Sequence, residues 1–156
     1  MSSQHLRPLV FVVSIGLCAA TLSLAVAAPD FTEWFIDADG MLAATKAYDA
    51  EAKPIFVYFH TTWCGYCRQF ERELLSVPEV SDYMGSILAV RIDMEKGPSE
   101  MALARRYGVR GTPALFVHSA ESKTVSRVER IELVNGRPRL KSAGAFIDAI
   151  KQAGAR

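Results

Sequence analysis

The stretch of sequence that decides the fold runs Ile55-Phe56-Val57-Tyr58-Phe59-His60-Thr61-Thr62-Trp63-Cys64-Gly65-Tyr66-Cys67. Residues 55–59 form a continuous apolar run of β-branched and aromatic side chains, which predicts a central buried strand. Residues 68–75 favour helix, because Phe70, Leu74 and Leu75 fall on one apolar stripe. The chain is therefore expected to pass from a strand through a turn into a helix that begins at Cys64.

Helical and strand-like patterns alternate along the rest of the chain. We expect helices over residues 40–52, 99–107 and 142–153, a short helical turn over 79–84, and strands over 87–92, 114–117 and 125–134. The last two strands are expected to form a hairpin across residues 119–124, and Ser99 is expected to cap its helix. This order predicts a single α/β domain with a mixed four-stranded central sheet flanked by helices on both faces.

The N-terminus has the pattern of an export signal. Residues 9–28 carry no charged side chain, and Ala25-Val26-Ala27 matches the small-x-small pattern of a signal-peptidase site. We therefore expect residues 1–27 to be a signal peptide and residues 28–156 to be the folded domain. The alternative is a retained membrane anchor, since an apolar run of this length can span a bilayer.

The charge balance of the domain excludes some classes of partner. Removal of residues 1–27 takes Arg7 from the 18 basic residues and none of the 17 acidic ones, which leaves a neutral domain. A neutral domain has no net field to hold nucleic acid or an anionic membrane surface. We expect neither partner, and we expect a monomer.

The cysteines indicate redox chemistry. Cys18 would leave with the signal, so the domain keeps Cys64 and Cys67 in a compartment where disulfides persist. A bridge between cysteines three positions apart adds little long-range stabilisation, so the pair is suited to chemistry rather than to stapling. At the start of a helix the exposed Cys64 would be favoured as a thiolate that attacks a substrate disulfide, and Cys67 would resolve the mixed disulfide.

A zinc site is the competing interpretation of a CxxC motif. Structural zinc takes four ligands, whereas the domain has no second cysteine pair and only two histidines, His60 and His118. No metal and no cofactor are therefore expected.

The motifs resemble the thioredoxin superfamily. The resemblance is carried by Trp63-Cys64-Gly65-Tyr66-Cys67 and by Gly111-Thr112-Pro113 some 45 residues later. Within the superfamily, the chain most resembles short secreted thioredoxin-like proteins and the C-terminal periplasmic domain of the transmembrane thiol reductase of Gram-negative bacteria. This narrower resemblance is carried by the segments Arg68-Gln69-Phe70-Glu71, Val77-Pro78-Glu79-Val80 and Val90-Arg91-Ile92-Asp93. The resemblance covers residues 38–152 and implies a thioredoxin-like domain.

The resemblance also implies how a substrate is held. In the family the proline corresponding to Pro113 is cis, and Thr112 would present backbone groups to a bound peptide beside Cys64. Trp63 would shield the active site, although a core aromatic is the alternative. Tyr66 would contact substrate or tune the redox potential, unless it is a plain surface aromatic.

Three positions depart from thioredoxin itself. Tyr58 stands where thioredoxin has a buried aspartate that assists proton transfer to the resolving thiol. Tyr66 stands where thioredoxin has a proline between the cysteines, and Arg72 where it has a proline that kinks the helix. The resemblance therefore does not supply the usual acid–base residue of thioredoxin at position 58.

Glu71 is the residue that could replace the missing acid. It lies four residues after Cys67, on the same face of a helix, and the similar reductase domain has a glutamate at this place. It would accept the Cys67 proton, or else simply pair with Arg68 or Arg72 in solvent. His60, four residues before Cys64, could favour the thiolate if protonated, or could be a loop residue.

The function implied is that of an exported, periplasmic thiol–disulfide oxidoreductase. It would reduce disulfides of exported proteins and receive electrons from a membrane thiol reductase. The alternatives are an oxidase or isomerase, whose direction depends on the reduction potential, and a low-turnover peptide-binding module that uses the Thr112-Pro113 groove.

Overall fold

The computed structural model describes residues 28–155, so the expected signal peptide at residues 1–27 lies outside the described residues. The strands are β1 (Phe35–Ile36), β2 (Ile55–His60), β3 (Leu88–Asp93), β4 (Ala114–His118), β5 (Val125–Arg127), β6 (Ile131–Val134) and β7 (Arg137–Leu140). The helices are α1 (Asp37–Glu51), α2 (Gly65–Phe70), α3 (Pro78–Gly85), α4 (Pro98–Arg106) and α5 (Ala143–Gly154). Among the described helices, none has the length and apolar character to cross a membrane.

The central sheet has five strands in the order β1-β3-β2-β4-β5. The strand β3 is parallel to both of its neighbours, β1 and β2, whereas β4 runs antiparallel to both β2 and β5. The α/β class and the mixed sheet are confirmed. The expected count of four strands is one too low, because the two-residue β1 adds an edge strand that is too short to show a periodic pattern.

The strand β2 is buried on both faces of the sheet, as its continuous apolar run predicts. Ile55, Val57 and Phe59 pack with α1 and α4, whereas Phe56 and Tyr58 face the opposite cluster, which includes residues of α2, α3 and α5. This alternation follows from the two-residue period of a strand. Helices therefore cover both faces, and β2 delivers the cysteine pair from the centre of the domain.

The expected long strand over residues 125–134 is wrong. Only Val125–Arg127 pairs with β4, and Ile131–Val134 instead pairs with β7 in a separate two-stranded sheet. The reason is the turn Asn135-Gly136, where both residues have positive φ (53° and 73°). Asn-Gly is a strong signal for a tight hairpin, and it places β6 and β7 against each other rather than against the main sheet.

The cap expected at Ser99 is also wrong. The helix α4 begins one residue earlier, at Pro98, and Gly97 occupies the N-cap position. Proline suits the first position of a helix, because its fixed φ fits and its missing N–H leaves no bond unmade.

The helix that carries the cysteines changes geometry after Phe70. Residues Glu71–Leu75 form a π-helical turn, in which the Ser76 amide donates to the Glu71 carbonyl at 3.0 Å. This wide turn includes Arg72, the position where the resemblance would place a kinking proline. A π turn is, like proline, a known cause of helix bending, and such turns are frequent at functional sites.

Candidate active site

The sheet brings three segments to one edge. The strand β2 ends at His60, and the parallel strand β3 ends beside it, with Asp93 in register with His60. Because β4 is antiparallel to β2, the start of β4 at Ala114 lies opposite Phe59, near the end of β2. The loop with the cysteines, the end of β3 and the Thr112-Pro113 segment therefore converge at the same edge.

Cys64 and Cys67 are joined by a disulfide across a Cα–Cα distance of 5.2 Å. Cys64 is the N-cap of α2, and its sulfur accepts a hydrogen bond from the Cys67 amide at 3.1 Å. An amide at the start of a helix is otherwise unpaired, and together with the helix dipole it favours negative charge on this sulfur. The geometry thus distinguishes the two cysteines, since Cys64 receives this stabilisation.

An open groove lies against Cys64. Its volume is about 450 Å³, and its walls are Trp63, Cys64, Gly65, Tyr66, Gln69 and Thr112. The side chains of Trp63 and Tyr66 are each 69% exposed, so neither is a core aromatic. The expectation of an exposed Cys64 is wrong, because the residue is buried at 4% exposure, but it still forms part of the groove wall. Cys67, at 1% exposure, does not line this groove. The Thr112–Pro113 peptide bond is cis, and Pro113 is buried behind Thr112.

Glu95 holds the loop before the cysteines. Its carboxylate accepts a hydrogen bond from the Trp63 indole at 2.8 Å, and its second oxygen accepts from the Thr62 amide and hydroxyl at 3.2 and 3.0 Å. The bond from Trp63 is the main reason why the pKa of Glu95 is lowered. Glu95 comes two residues after β3, and the sequence gives no local signal that it reaches Trp63.

Glu71 lies in a polar cluster beneath the cysteine helix. Its Oε1 accepts hydrogen bonds from the Tyr58 hydroxyl at 3.0 Å and from the Arg91 guanidinium at 3.1 Å. Tyr58 and Arg91 are in register on β2 and β3, which places both side chains on the face that α2 covers. Arg91 also packs over the Phe31 ring at 4.5 Å. The expected alternative partners of Glu71, Arg68 and Arg72, instead contact Thr62 and Glu73.

Burial, helped by the Glu71 carboxylate, raises the pKa of Tyr58 well above its ordinary value, so this residue stays a neutral hydrogen-bond donor. Burial and the nearby charge of Arg91 lower the pKa of His60. The His60 ring is 5.4 Å from the Tyr58 ring, and its Nδ1 lies 3.4 Å from Arg91. His60 is therefore an uncharged, buried imidazole at neutral pH rather than an exposed loop residue.

The structure brings most of the residues singled out from sequence to one place. Trp63, Cys64, Tyr66 and Thr112 share the groove, whereas Glu71 and His60 lie in the cluster beneath it. Sequence reasoning missed Arg91 and Glu95, which are bonded to Glu71 and Trp63 respectively. Across residues 28–155, no group of three or more His, Cys, Asp or Glu side chains is placed to hold a metal ion.

The chain is similar to known proteins in both sequence and structure. The family described as "Thioredoxin-like domain" matches residues 41–129. The thiol:disulfide interchange protein DsbD of Klebsiella pneumoniae is 26% identical over 136 residues, which cover 77% of this chain. The chain spans only 22% of that relative's length.

Two solved structures share the fold over most of the domain. The C-terminal domain of DsbD from Neisseria meningitidis, in the oxidised form, has a TM-score of 0.58 and 26% identity, with 77% of this chain and 98% of that one covered. A thioredoxin from Thermus thermophilus has a TM-score of 0.57 and 26% identity, with 77% and 86% covered.

Proposed function

From the premise that this chain belongs to the thioredoxin-like family of thiol–disulfide oxidoreductases, we propose that it is exported and reduces disulfide bonds of periplasmic proteins. The observation that carries the proposal is the bridged pair Cys64–Cys67, whose first sulfur lies at an open groove. The similarity to a domain of a thiol:disulfide interchange protein supports the same chemistry.

The reaction is a two-step exchange that begins with the reduced protein. The Cys64 thiolate attacks one sulfur of the client disulfide, forms a mixed disulfide, and releases the other client sulfur as a thiol after it takes up a proton. The Cys67 thiol loses its proton and attacks Cys64, which releases the second client thiol. The client gains two electrons and two protons, and the protein is left with the Cys64–Cys67 disulfide.

The groove residues fit the binding of a client polypeptide. Thr112 lies beside Cys64 and offers backbone groups that an extended peptide can pair with. Trp63 and Tyr66 offer exposed aromatic surface on either side of Cys64. In this proposal the aromatics and the Thr112-Pro113 segment position the client sulfur for attack by Cys64.

Glu71 is proposed to accept the proton of Cys67. It follows Cys67 by one helical turn, and its carboxylate is partly shielded from solvent by Tyr58 and Arg91. A base held near the resolving thiol increases the thiolate fraction at the moment of resolution. Glu71 would thus have the role that a buried aspartate has in thioredoxin, where that aspartate stands at the position of Tyr58.

The neutral state of His60 supports the reducing direction. A strong oxidant of this class stabilises its reduced form, chiefly by stabilising the attacking thiolate. Burial keeps His60 uncharged, so this neighbour of the cysteine loop adds no positive charge in favour of the Cys64 thiolate. The Cys67 amide and the start of α2 still favour the Cys64 thiolate, but without a charged imidazole we expect a reduction potential below that of a strong oxidant. A membrane thiol reductase is the proposed source of those electrons.

The decisive measurement is the reduction potential of the Cys64–Cys67 pair, from its equilibrium with a dithiothreitol or glutathione buffer. A value near that of thioredoxin, about −270 mV, supports a reductase. A value near about −120 mV would make the protein an oxidant and overturn the proposed direction.

Variants of the cysteines separate an enzyme from a binding module. A Cys67→Ser protein should accumulate clients as mixed disulfides on Cys64, because the resolving thiol is gone. A Cys64→Ser, Cys67→Ser protein should lose all biological effect. Full effect from the double variant would show that the groove binds without turnover.

A further inference from the structure

The groove at Cys64 does not end at Tyr66. A second groove of about 300 Å³ begins on the other side of the same residues, and Tyr66 and Gln69 are walls of both. Its remaining walls are Arg130 and the residues Ile131, Pro138, Arg139 and Leu140 of the β6–β7 hairpin. A continuous surface therefore leads from the reactive sulfur to the hairpin.

The hairpin presents an apolar face to this second groove. Ile131 is paired with Leu140, and Leu133 with Pro138, so these four side chains lie on one side of the hairpin. Leu133 remains 73% exposed. An isolated two-stranded hairpin is marginally stable and gains from a further strand or chain that covers its apolar face.

The segment that carries the hairpin is basic. Residues 127–141 include five basic side chains and two acidic ones, a net charge of +3 in a chain whose total is +1. The acidic residues are already engaged, since Glu129 pairs with Arg127 and Glu132 with Lys141. Within residues 28–155, no ion pair joins Arg130, Arg137 or Arg139 to a carboxylate.

Arg130 lines the second groove together with Tyr66, which is also a wall of the groove at Cys64. Arg130 is half-buried there, and its charge is close enough to Tyr58 and Tyr66 to interact with them. Partial burial lowers the pKa of Arg130, although it remains charged. The charge of Glu129 also acts on Arg130, but its ion pair is with Arg127. A partly desolvated guanidinium that lacks a direct ion pair gains more from an incoming anion than a fully hydrated one does.

We propose that this second groove binds an acidic, extended segment of the client polypeptide while the client's cysteine lies against Cys64. Apolar side chains of the segment would cover Ile131 and Leu140, and a carboxylate would pair with Arg130. The inference rests on the proposed function and adds a substrate class: disulfides flanked by carboxylates and apolar residues. Charge complementarity favours this occupant, because Arg130 and Arg139, which have no ion-pair partner among the described residues, both line the groove.

The test uses two synthetic peptides that share a Cys-Gly-Gly-Cys disulfide. One carries the flank Asp-Leu-Asp-Val and the other Asn-Leu-Asn-Val, and each is made with the flank before or after the disulfide. The rate constant for oxidation of the reduced protein is followed by tryptophan fluorescence. For one flank position we expect the acidic peptide to react about fivefold faster than the neutral one, a ratio that falls as salt is raised from about 0.02 to 0.3 M.

The matched variants are Arg130→Gln and Arg137→Gln. Both remove one cation from the same segment, but Arg137 does not line the groove. Arg130→Gln should bring the acidic-to-neutral ratio close to one, and Arg137→Gln should leave it near the wild-type value. Equal ratios for wild type and Arg130→Gln, or equal losses in both variants, would overturn the proposed site.

Two controls test the occupant of the groove and the reductase chemistry separately. Sedimentation of the wild type and Arg130→Gln proteins tests whether a second copy of the chain occupies the groove. If the wild type is a dimer and Arg130→Gln is a monomer, the client assignment is overturned. The neutral peptide reports on the proposed function independently, since a reduced protein that reacts with neither peptide would refute the reductase itself. A normal rate with no preference for the acidic flank would refute the docking site alone.

Discussion

Tyr58 donates a hydrogen bond to Glu71 at 3.0 Å, and this contact joins the central strand to the π turn of the cysteine helix. Tyr58 is fully buried and stands where the resemblance to thioredoxin would place an aspartate. Compared with thioredoxin, the carboxylate is thus on the helix rather than on the strand, and the strand residue Tyr58 orients it through this hydrogen bond. Arg91 on the neighbouring strand supplies the counter-charge.

Replacement of Glu71 should slow resolution but not the first attack. In Glu71→Gln the amide can still accept from Tyr58, whereas it cannot take a proton from Cys67. After reaction of the reduced protein with an aromatic disulfide such as DTNB, the second release of thiolate should slow about tenfold or more, and the first release should be unchanged. Glu73→Gln is the matched control, because Glu73 is exposed and bonded to Gln69 and Arg72. A wild-type second phase in Glu71→Gln would contradict the proposed role.

Loss of the Tyr58 hydroxyl should cost stability through Glu71. Tyr58→Phe keeps the buried ring but removes a hydrogen bond to a charged group, so the free energy of unfolding should fall by about 1.5 kcal/mol. In the Glu71→Gln background the same substitution should cost less, because the bond it removes is then between neutral groups. Urea unfolding of the four proteins in this cycle gives the coupling. Equal costs in both backgrounds would show that the contact contributes no coupling.

Glu95 should affect client reactivity more than stability. Glu95→Ala removes the acceptor of the Trp63 indole, so the aromatic wall of the groove loses its fixed orientation. We expect reduction of a protein disulfide such as that of insulin to slow about threefold, while the free energy of unfolding stays equal to that of the control, since the contact is exposed. Glu121→Ala, in the exposed loop between β4 and β5, is the control. A rate equal to that of the control would remove Glu95 from the site.

Stability should decrease as the pH falls from 7 to 5. The pKa values of His60 and His118 are lowered by burial, so the unfolded chain, with imidazole pKa values near 6.5, takes up protons first. The slope is bounded at about 1.4 kcal/mol per pH unit for each histidine. His60→Gln should make the pH dependence of unfolding shallower than in wild type. An unchanged slope would mean that His60 is protonated as readily in the folded protein as in the unfolded chain.

Local patterns were sufficient for much of the fold. The apolar run of β2 predicted a strand buried on both faces, and the final amphipathic helix was placed within one residue of α5. The prediction of one strand over residues 125–134 overlooks the hairpin at Asn135-Gly136 although its signal is present, because the alternation of Ile131 and Leu133 fits a strand whichever partner it pairs with. The sequence carries a turn signal there that outweighs the alternation.

The sequence by itself determined the reactive pair, because Cys64 and Cys67 are one helical turn apart and any strand-to-helix junction would bring their sulfurs together. It also determined that Trp63 and Tyr66 flank the first cysteine. Only the tertiary structure decided what surrounds them. Arg91 is hydrogen-bonded to Glu71, which is 20 positions away in the sequence, and Glu95 is hydrogen-bonded to Trp63, which is 32 positions away. Those contacts depend on the register of β3 against β2 and on the path of the chain after β3, which many weak interactions set together and no local pattern encodes.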